Sequence, residues 1–209
     1  KGKLKDWISV VKEEVIGKVP LEFVLLLGFS APLLALLNDS NYDLGSVVFN
    51  LANFSSKGKT TAVMLATSVF SNPVSNKGTL VTYNATDNAL MNILAKSDGL
   101  TIGIDEIGIS KHNSKNFSSL LYAICSGSSK LRLNGDSSMK PSQTYSCFVI
   151  STAEYDIIDD DTIDGIKARV FEITDELTTS AENSDNIKSV IKNNYGTAGR
   201  EFIKSFTEY

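Results

Sequence analysis

From residue 46 onward, short apolar runs alternate with stretches of helical periodicity, and this rhythm restricts the chain more than any other feature. The runs cover residues 46–51, 79–83, 100–104, 145–150 and 168–173. Helical stretches lie between them at 59–70, at 87–96 behind a Thr86 cap, and at 116–125. Near-continuous apolar runs suit strands buried on both faces, and parallel strands need crossover connections long enough to hold a helix. The pattern predicts an α/β protein, a three-layer sandwich around a five-stranded, mostly parallel sheet. A ligand is expected at the carboxyl ends of its strands.

Ahead of this rhythm, Leu4, Trp7, Ile8, Val11 and Val15 recur at helical spacing. Pro20 is placed to open a second helix that runs to about Leu37, with a kink at Pro32. These helices predict an N-terminal helical appendage over 1–40, followed by the α/β core over 41–209. Residues 23–37 are apolar apart from Ser30. As a helix they reach roughly 22 Å at ~1.5 Å per residue, short of a ~30 Å hydrocarbon core, so a buried helix pair is expected and no membrane. No secretory signal is evident, since the charged start leads into amphipathic sequence. The chain opens at Lys1 and reads as part of something longer.

Composition narrows the function. The 209 residues are 42% hydrophobic and 21% charged, ordinary for a globular chain, and the net charge of −4 argues against a surface coated in basic groups. Any nucleic-acid contact must be local. Cys125 and Cys147 are too few for a disulfide framework or zinc site, and His112 is the only histidine, which disfavours histidine-based metal sites and triads. A reduced, cytoplasmic setting is expected. The acidic run 159–161 reads as a solvated loop.

The chemistry is concentrated where the first strand meets the first core helix. There Asn53-Phe54-Ser55-Ser56-Lys57-Gly58-Lys59-Thr60 leads into Thr61. A phosphate-binding loop needs a turn of N–H groups opening onto a helix N-terminus, a lysine for the β- and γ-phosphates and a hydroxyl for Mg²⁺. Gly58, Lys59 and Thr60 meet these needs, with Asn53, Ser55, Ser56, Lys57 and Thr61 as further binding candidates. Asn53 replaces the pattern's first glycine, and asparagine visits left-handed backbone more readily than other residues.

About 45 residues on, a buried run ends in Asp105-Glu106. Beside a phosphate loop, Asp105 would join Thr60 as a metal ligand and Glu106 would polarise the attacking water, although a charged cap after the strand uses the same residues. The fourth run is followed by Ser151-Thr152 and then Glu154. A hydroxyl there can sense the γ-phosphate, Thr152 first and Ser151 second; a simple polar strand end fits equally well. Before that run, Ser129 to Asp136 carries Asn134-Gly135 after alternating residues, which predicts a hairpin. Lys130, Arg132 and Lys140 are its nucleic-acid candidates, and a basic solvent edge is the alternative. Finally, Arg169 opens the last run, too far along the strand order to reach its own nucleotide easily but placed to touch a neighbour's, with a solvated arginine at the strand start as the alternative.

These residues resemble a known family, the phosphate-loop domain of unknown function in primase-helicases of phages and mobile elements, related to AAA+ helicases of the minichromosome-maintenance type. The resemblance rests on Ser55 to Thr61, Thr86 with Asn88-Ala89-Leu90, Asp105-Glu106-Ile107-Gly108, Ser151-Thr152-Ala153-Glu154, Gly165 to Arg169 and Tyr195-Gly196-Thr197-Ala198-Gly199, in the family's order. It implies an AAA+-like P-loop NTPase fold, hydrolysis of ATP with Mg²⁺ coupled to movement on single-stranded DNA, assembly with copies of itself as a hexameric ring, and a hairpin facing the pore. It also implies that the helical appendage and the 196–206 segment are family features, with Arg200 a candidate second sensor. The competing expectation is a nucleotide-driven switch or scaffold ATPase that does not move along DNA.

Overall fold

The computed structural model describes residues 1–42, 44–54, 58–83, 86–107, 117–128, 132–133, 139–140, 144–158, 160, 162 and 164–208, with backbone alone at 41–42, 132–133 and 139–140. Five strands form one wholly parallel sheet: β1 (Val47–Ala52), β2 (Leu80–Thr82), β3 (Thr101–Asp105), β6 (Phe148–Ala153) and β7 (Val170–Ile173), in the order β2-β3-β6-β1-β7. Parallel pairing aligns all five carboxyl ends along one edge. Because β6 inserts between β1 and β3, the ends of these three strands lie side by side.

Alternate residues face two apolar layers, as a sheet buried on both sides requires. One layer holds α1 (Leu4–Glu14), α2 (Val19–Leu37), α3 (Lys59–Ser68), α7 (Ala181–Ile191) and α8 (Thr197–Thr207), packed through Trp7, Leu21, Leu65 and Ile187 against Phe49, Leu51 and Ile150 of the sheet. The other holds α4 (Asp87–Lys96), α5 (Phe117–Cys125) and the short α6 (Asp164–Lys167), packed through Leu94, Leu121 and Ile166 against Val48, Ile104, Val149 and Val170. The fold is the expected three-layer α/β sandwich. Thr86 caps α4 as expected, its Oγ1 accepting from the Ala89 N–H at 3.3 Å.

The helical appendage shares its core with the sheet. The Trp7 indole N–H donates to Ser68 Oγ at the end of α3 (2.9 Å), and a Cβ on Gly28 of α2 would meet the Ala66 carbonyl at 2.6 Å. Only glycine lets α2 cross α3 this closely. Helix α2 spans the expected stretch and continues through Pro32, and the apolar segment Val19–Ser40 is long and apolar enough to cross a membrane by length and composition. Its Leu21, Val24, Leu25 and Gly28 are nonetheless buried in the sandwich.

Several boundaries move. The fourth run becomes a strand three residues later than expected, so Ser151 and Thr152 lie within it. The last run loses residues 168–169 to the turn that follows α6, so Arg169 precedes its strand. The hairpin is present: β4 (Arg132–Leu133) pairs antiparallel with β5 (Met139–Lys140), Arg132 opposite Lys140. This register places five residues, 134–138, between the strands rather than Asn134-Gly135 alone, and those five lie outside the described residues.

Candidate functional site

The residues leaving β1 bind it to the neighbouring strand ends. The Asn53 N–H donates to the Ala153 carbonyl (3.3 Å), Asn53 Nδ2 donates to the Thr174 carbonyl (2.7 Å), and Asn53 Oδ1 accepts from the Phe54 N–H (2.8 Å). The expected left-handed backbone at Asn53 is not found; among described non-glycine residues only Asn76 and Glu106 take a positive φ. Asparagine serves here through its side chain. Ser55, Ser56 and Lys57 lie outside the described residues.

Gly58 opens α3 with φ of 83°, and a Cβ there would meet Thr178 Oγ1 at 2.3 Å, so both backbone and space demand glycine. No side chain caps α3, and the first helical bond runs from the Ala62 N–H to the Gly58 carbonyl (3.0 Å). The N–H groups of Lys59, Thr60 and Thr61 therefore have no partner within the helix and form a positive end suited to an anion. Lys59 Nζ donates to the carbonyls of Asn53 and, at 3.0 Å, Phe54. Burial pulls the Lys59 ammonium below its ordinary pKa, while the carboxylates of Glu154 and Asp105 oppose that shift.

Beside this helix end stand the acidic residues. Thr60 Oγ1 donates to Asp105 Oδ1 and Oδ2 at 3.3 and 3.5 Å. Thr152 Oγ1 donates to Asp105 Oδ1 at 2.7 Å and accepts from the Glu106 N–H at 2.8 Å. Glu106 has φ of 65°, a conformation that costs on the order of 1 kcal/mol or more for a residue with a Cβ, and the residue is exposed. Lys59, Thr60, Asp105 and Thr152, from three separate stretches of chain, thus meet at one place. Thr60 and Asp105 supply hard oxygens of the kind Mg²⁺ takes, and an exposed carboxylate next to them can accept a proton.

Other predicted residues are placed differently. Ser151 is fully buried on the opposite sheet face, where its Oγ donates to Asn50 Oδ1 at 2.8 Å. The Thr61 hydroxyl is buried against Ser184 Oγ (2.6 Å), which leaves only its backbone toward the loop. Arg169 lies at the amino end of β7, its carbonyl accepting from the Val48 N–H at 2.9 Å. The segment that begins at Asn53 leaves the other end of β1, at least about 13 Å away by strand rise, so Arg169 is remote from it within the same chain. Its charge acts on the Cys125 thiol, partly opposing the effect of burial there. Lys130 lies outside the described residues, and Arg132 and Lys140 are described by backbone pairing alone.

The sequence reading missed Asn50 and Glu172. Asn50 Nδ2 donates to Glu172 Oε2 at 2.7 Å, and Glu172 Oε1 accepts from the N–H groups of Ile157 (2.8 Å) and Ile158 (3.2 Å). The available signal was a polar residue inside each of two otherwise apolar strands.

With this geometry in place, residues 1–144 match the family described as domain of unknown function DUF927. The chain belongs to the DUF927 family. No curated protein matches it. Among solved structures, one described as SCCmec type IV Cch, an active helicase, is similar to this DUF927 domain with a TM-score of 0.86 and 32% sequence identity. The match covers 100% of this chain and 38% of that one, so the domain spans well under half of its helicase neighbour.

Proposed function

We propose that this DUF927 domain is the ATP-hydrolysing motor of a ring-forming DNA helicase or translocase of a phage or mobile genetic element. The observation that carries the reading is the hydrogen-bonded meeting of Thr60, Asp105 and Thr152 beside Lys59 and the uncapped start of α3. Similarity to an active helicase over the whole chain supports it.

In this reading the free N–H groups of α3 and the Lys59 ammonium bind the β- and γ-phosphates, Lys59 exchanging two backbone carbonyls for phosphate oxygens. Thr60 and Asp105 hold Mg²⁺, which when bound neutralises charge on the phosphates. Thr152 fixes both neighbours at once: its hydroxyl hydrogen holds the Asp105 carboxylate, and its oxygen holds the Glu106 backbone. Glu106 takes the proton of the attacking water. Arg169 serves the nucleotide of an adjacent copy, which makes a closed ring, a hexamer, the working form. Lys130, Arg132 and Lys140 of the hairpin meet single-stranded DNA in its pore.

The test is ATP turnover by the intact protein with and without single-stranded DNA. Stimulation by DNA is expected. Turnover indifferent to DNA would favour a nucleotide-driven switch or scaffold, and absence of turnover in an ATP-binding protein would remove the motor altogether.

A further inference from the structure

Ser151, Asn50 and Glu172 occupy one row across β6, β1 and β7, since Asn50 is in register with both of the others. They face the layer opposite α3, between the apolar row of Val149, Val48 and Val170 and the carboxyl edge. Ser151 and Asn50 are fully buried. The row has one direction. Ser151 gives its proton to the Asn50 carbonyl oxygen, which leaves the Asn50 amide to donate to Glu172; the carboxylate only accepts, from Asn50 and from two backbone N–H groups.

An apolar row would hold three strands together at no desolvation cost, so a half-buried carboxylate is a poor choice for stability alone. What it joins suggests its use. At one end, Asn50 precedes by three residues the Asn53 that starts the phosphate loop. At the other, Ile157 and Ile158 belong to the segment that follows β6, carries Glu154 and continues toward Arg169. The Glu154 carboxylate acts electrostatically on Lys59.

We propose that Glu172 is a positioning residue of the hydrolysis site, clamping the 154–158 segment through the Ile157 and Ile158 N–H groups and tying it through Asn50 to the strand that enters the phosphate loop. The clamp keeps Glu154 opposite Lys59. This inference rests on the ATPase reading of the site, and it concerns residues that never touch nucleotide.

The hydrogen-bond pattern supplies its own test. Asn50→Asp sets two carboxylates against each other where Asn50 now donates to Glu172. Glu172→Gln retains every bond if Asn50 turns over and the Ser151 hydroxyl rotates to accept. The pair Asn50→Asp with Glu172→Gln keeps every bond and moves the charge by one residue. In the intact protein, well below its unfolding temperature, Asn50→Asp is expected to lower kcat about tenfold or more while ATP affinity changes less than about threefold. Glu172→Gln alone should stay within about threefold of wild type, and the double variant should recover most of the loss. Wild-type kcat in Asn50→Asp, or a double variant as slow as that single one, would overturn the proposal, as would equal losses in affinity and kcat. Hydrogen exchange at Ile157 and Ile158 separates this inference from the functional reading. Faster exchange in Asn50→Asp, restored in the double variant, supports the clamp even if the wild type turned over no ATP, a result that would sink the functional reading instead. Exchange unchanged in Asn50→Asp would overturn the clamp.

Discussion

The two ends of the same sheet use similar residues to opposite ends. At the amino edge, Ser46 Oγ accepts from the Cys147 N–H (3.0 Å), Asp98 Oδ1 from the Ser146 N–H (2.7 Å), and the Tyr145 hydroxyl donates to the Ala123 carbonyl (2.7 Å). Each of these side chains is consumed by a backbone partner. Burial pushes the thiols of Cys125 and Cys147 up to about 11 and 12, and the Tyr145 phenol is pushed up as well. At the carboxyl edge, the side chains of two threonines and an aspartate bond to one another beside an uncapped helix end, next to a glutamate held at positive φ. The amino-edge groups, spent on backbone partners, hold the fold together. Groups bonded to one another, with donors to spare and local strain, remain available to a ligand.

The largest expected effect tests whether Arg169, an amino-edge residue, belongs functionally to a carboxyl edge. Arg169→Ala should lower ATP turnover by roughly 10³ with ATP binding intact, because arginine fingers have effects of that order. A mixture with Lys59→Ala should regain activity, since an intact loop on one copy can meet an intact arginine on the next. A mixture that stays inactive although mixed assemblies form would return Arg169 to the structural edge. The next effect lies wholly at the carboxyl edge. Glu106→Gln should bind ATP but turn over slower by ~10² or more, and a parallel loss of binding in equilibrium titration would show that Glu106 supports the fold rather than the chemistry.

How far this division was legible in the sequence depends on what each residue needed. The alternation of apolar runs gave all five sheet strands, because burial on both faces leaves a one-dimensional trace. That Gly58, Lys59 and Thr60 stand together where the first strand hands over to α3 was legible because the three are contiguous. Asp105 was readable because the strand before it is apolar. The role of Asn53 was misread, since a composition argument about left-handed backbone says nothing of a side chain reaching Thr174 across the sheet. Ser151 and Thr152 are neighbours of nearly identical chemistry, and only the strand's alternation sends one to Asp105 and the other to Asn50. That required the register, which the sequence reading had three residues too early. Helix α7 was missed because its polar face dominates the segment, leaving Ile187 and Ile191 as sparse apolar anchors.

Smaller effects are expected at the amino edge, and of a different kind. Ser46→Ala leaves the buried Cys147 N–H without its acceptor and should cost about 1–3 kcal/mol in denaturant unfolding with ATP binding unchanged. Altered ATP affinity without altered stability would break the comparison. The thiols and Tyr145 add a weak pH dependence. Since folding raises the thiol pKa values, their contribution to stability is fully present below the ordinary value of 9.0 and is lost as pH rises through about 11 to 12. Unfolding midpoints should therefore fall above pH 9, and neither thiol should be alkylated in the native state at pH 8. Rapid alkylation of either would mean that this edge is open.

The ATP site proposed for the carboxyl edge does not extend to the sheet as a whole. Its most direct test is equilibrium ATP binding with Mg²⁺ by the intact protein, comparing Lys59→Ala with Ser46→Ala. Lys59→Ala should weaken binding roughly 100-fold, as loss of charge-assisted bonds to phosphate would, while Ser46→Ala should bind as the wild type does. Undiminished ATP affinity in Lys59→Ala would contradict it.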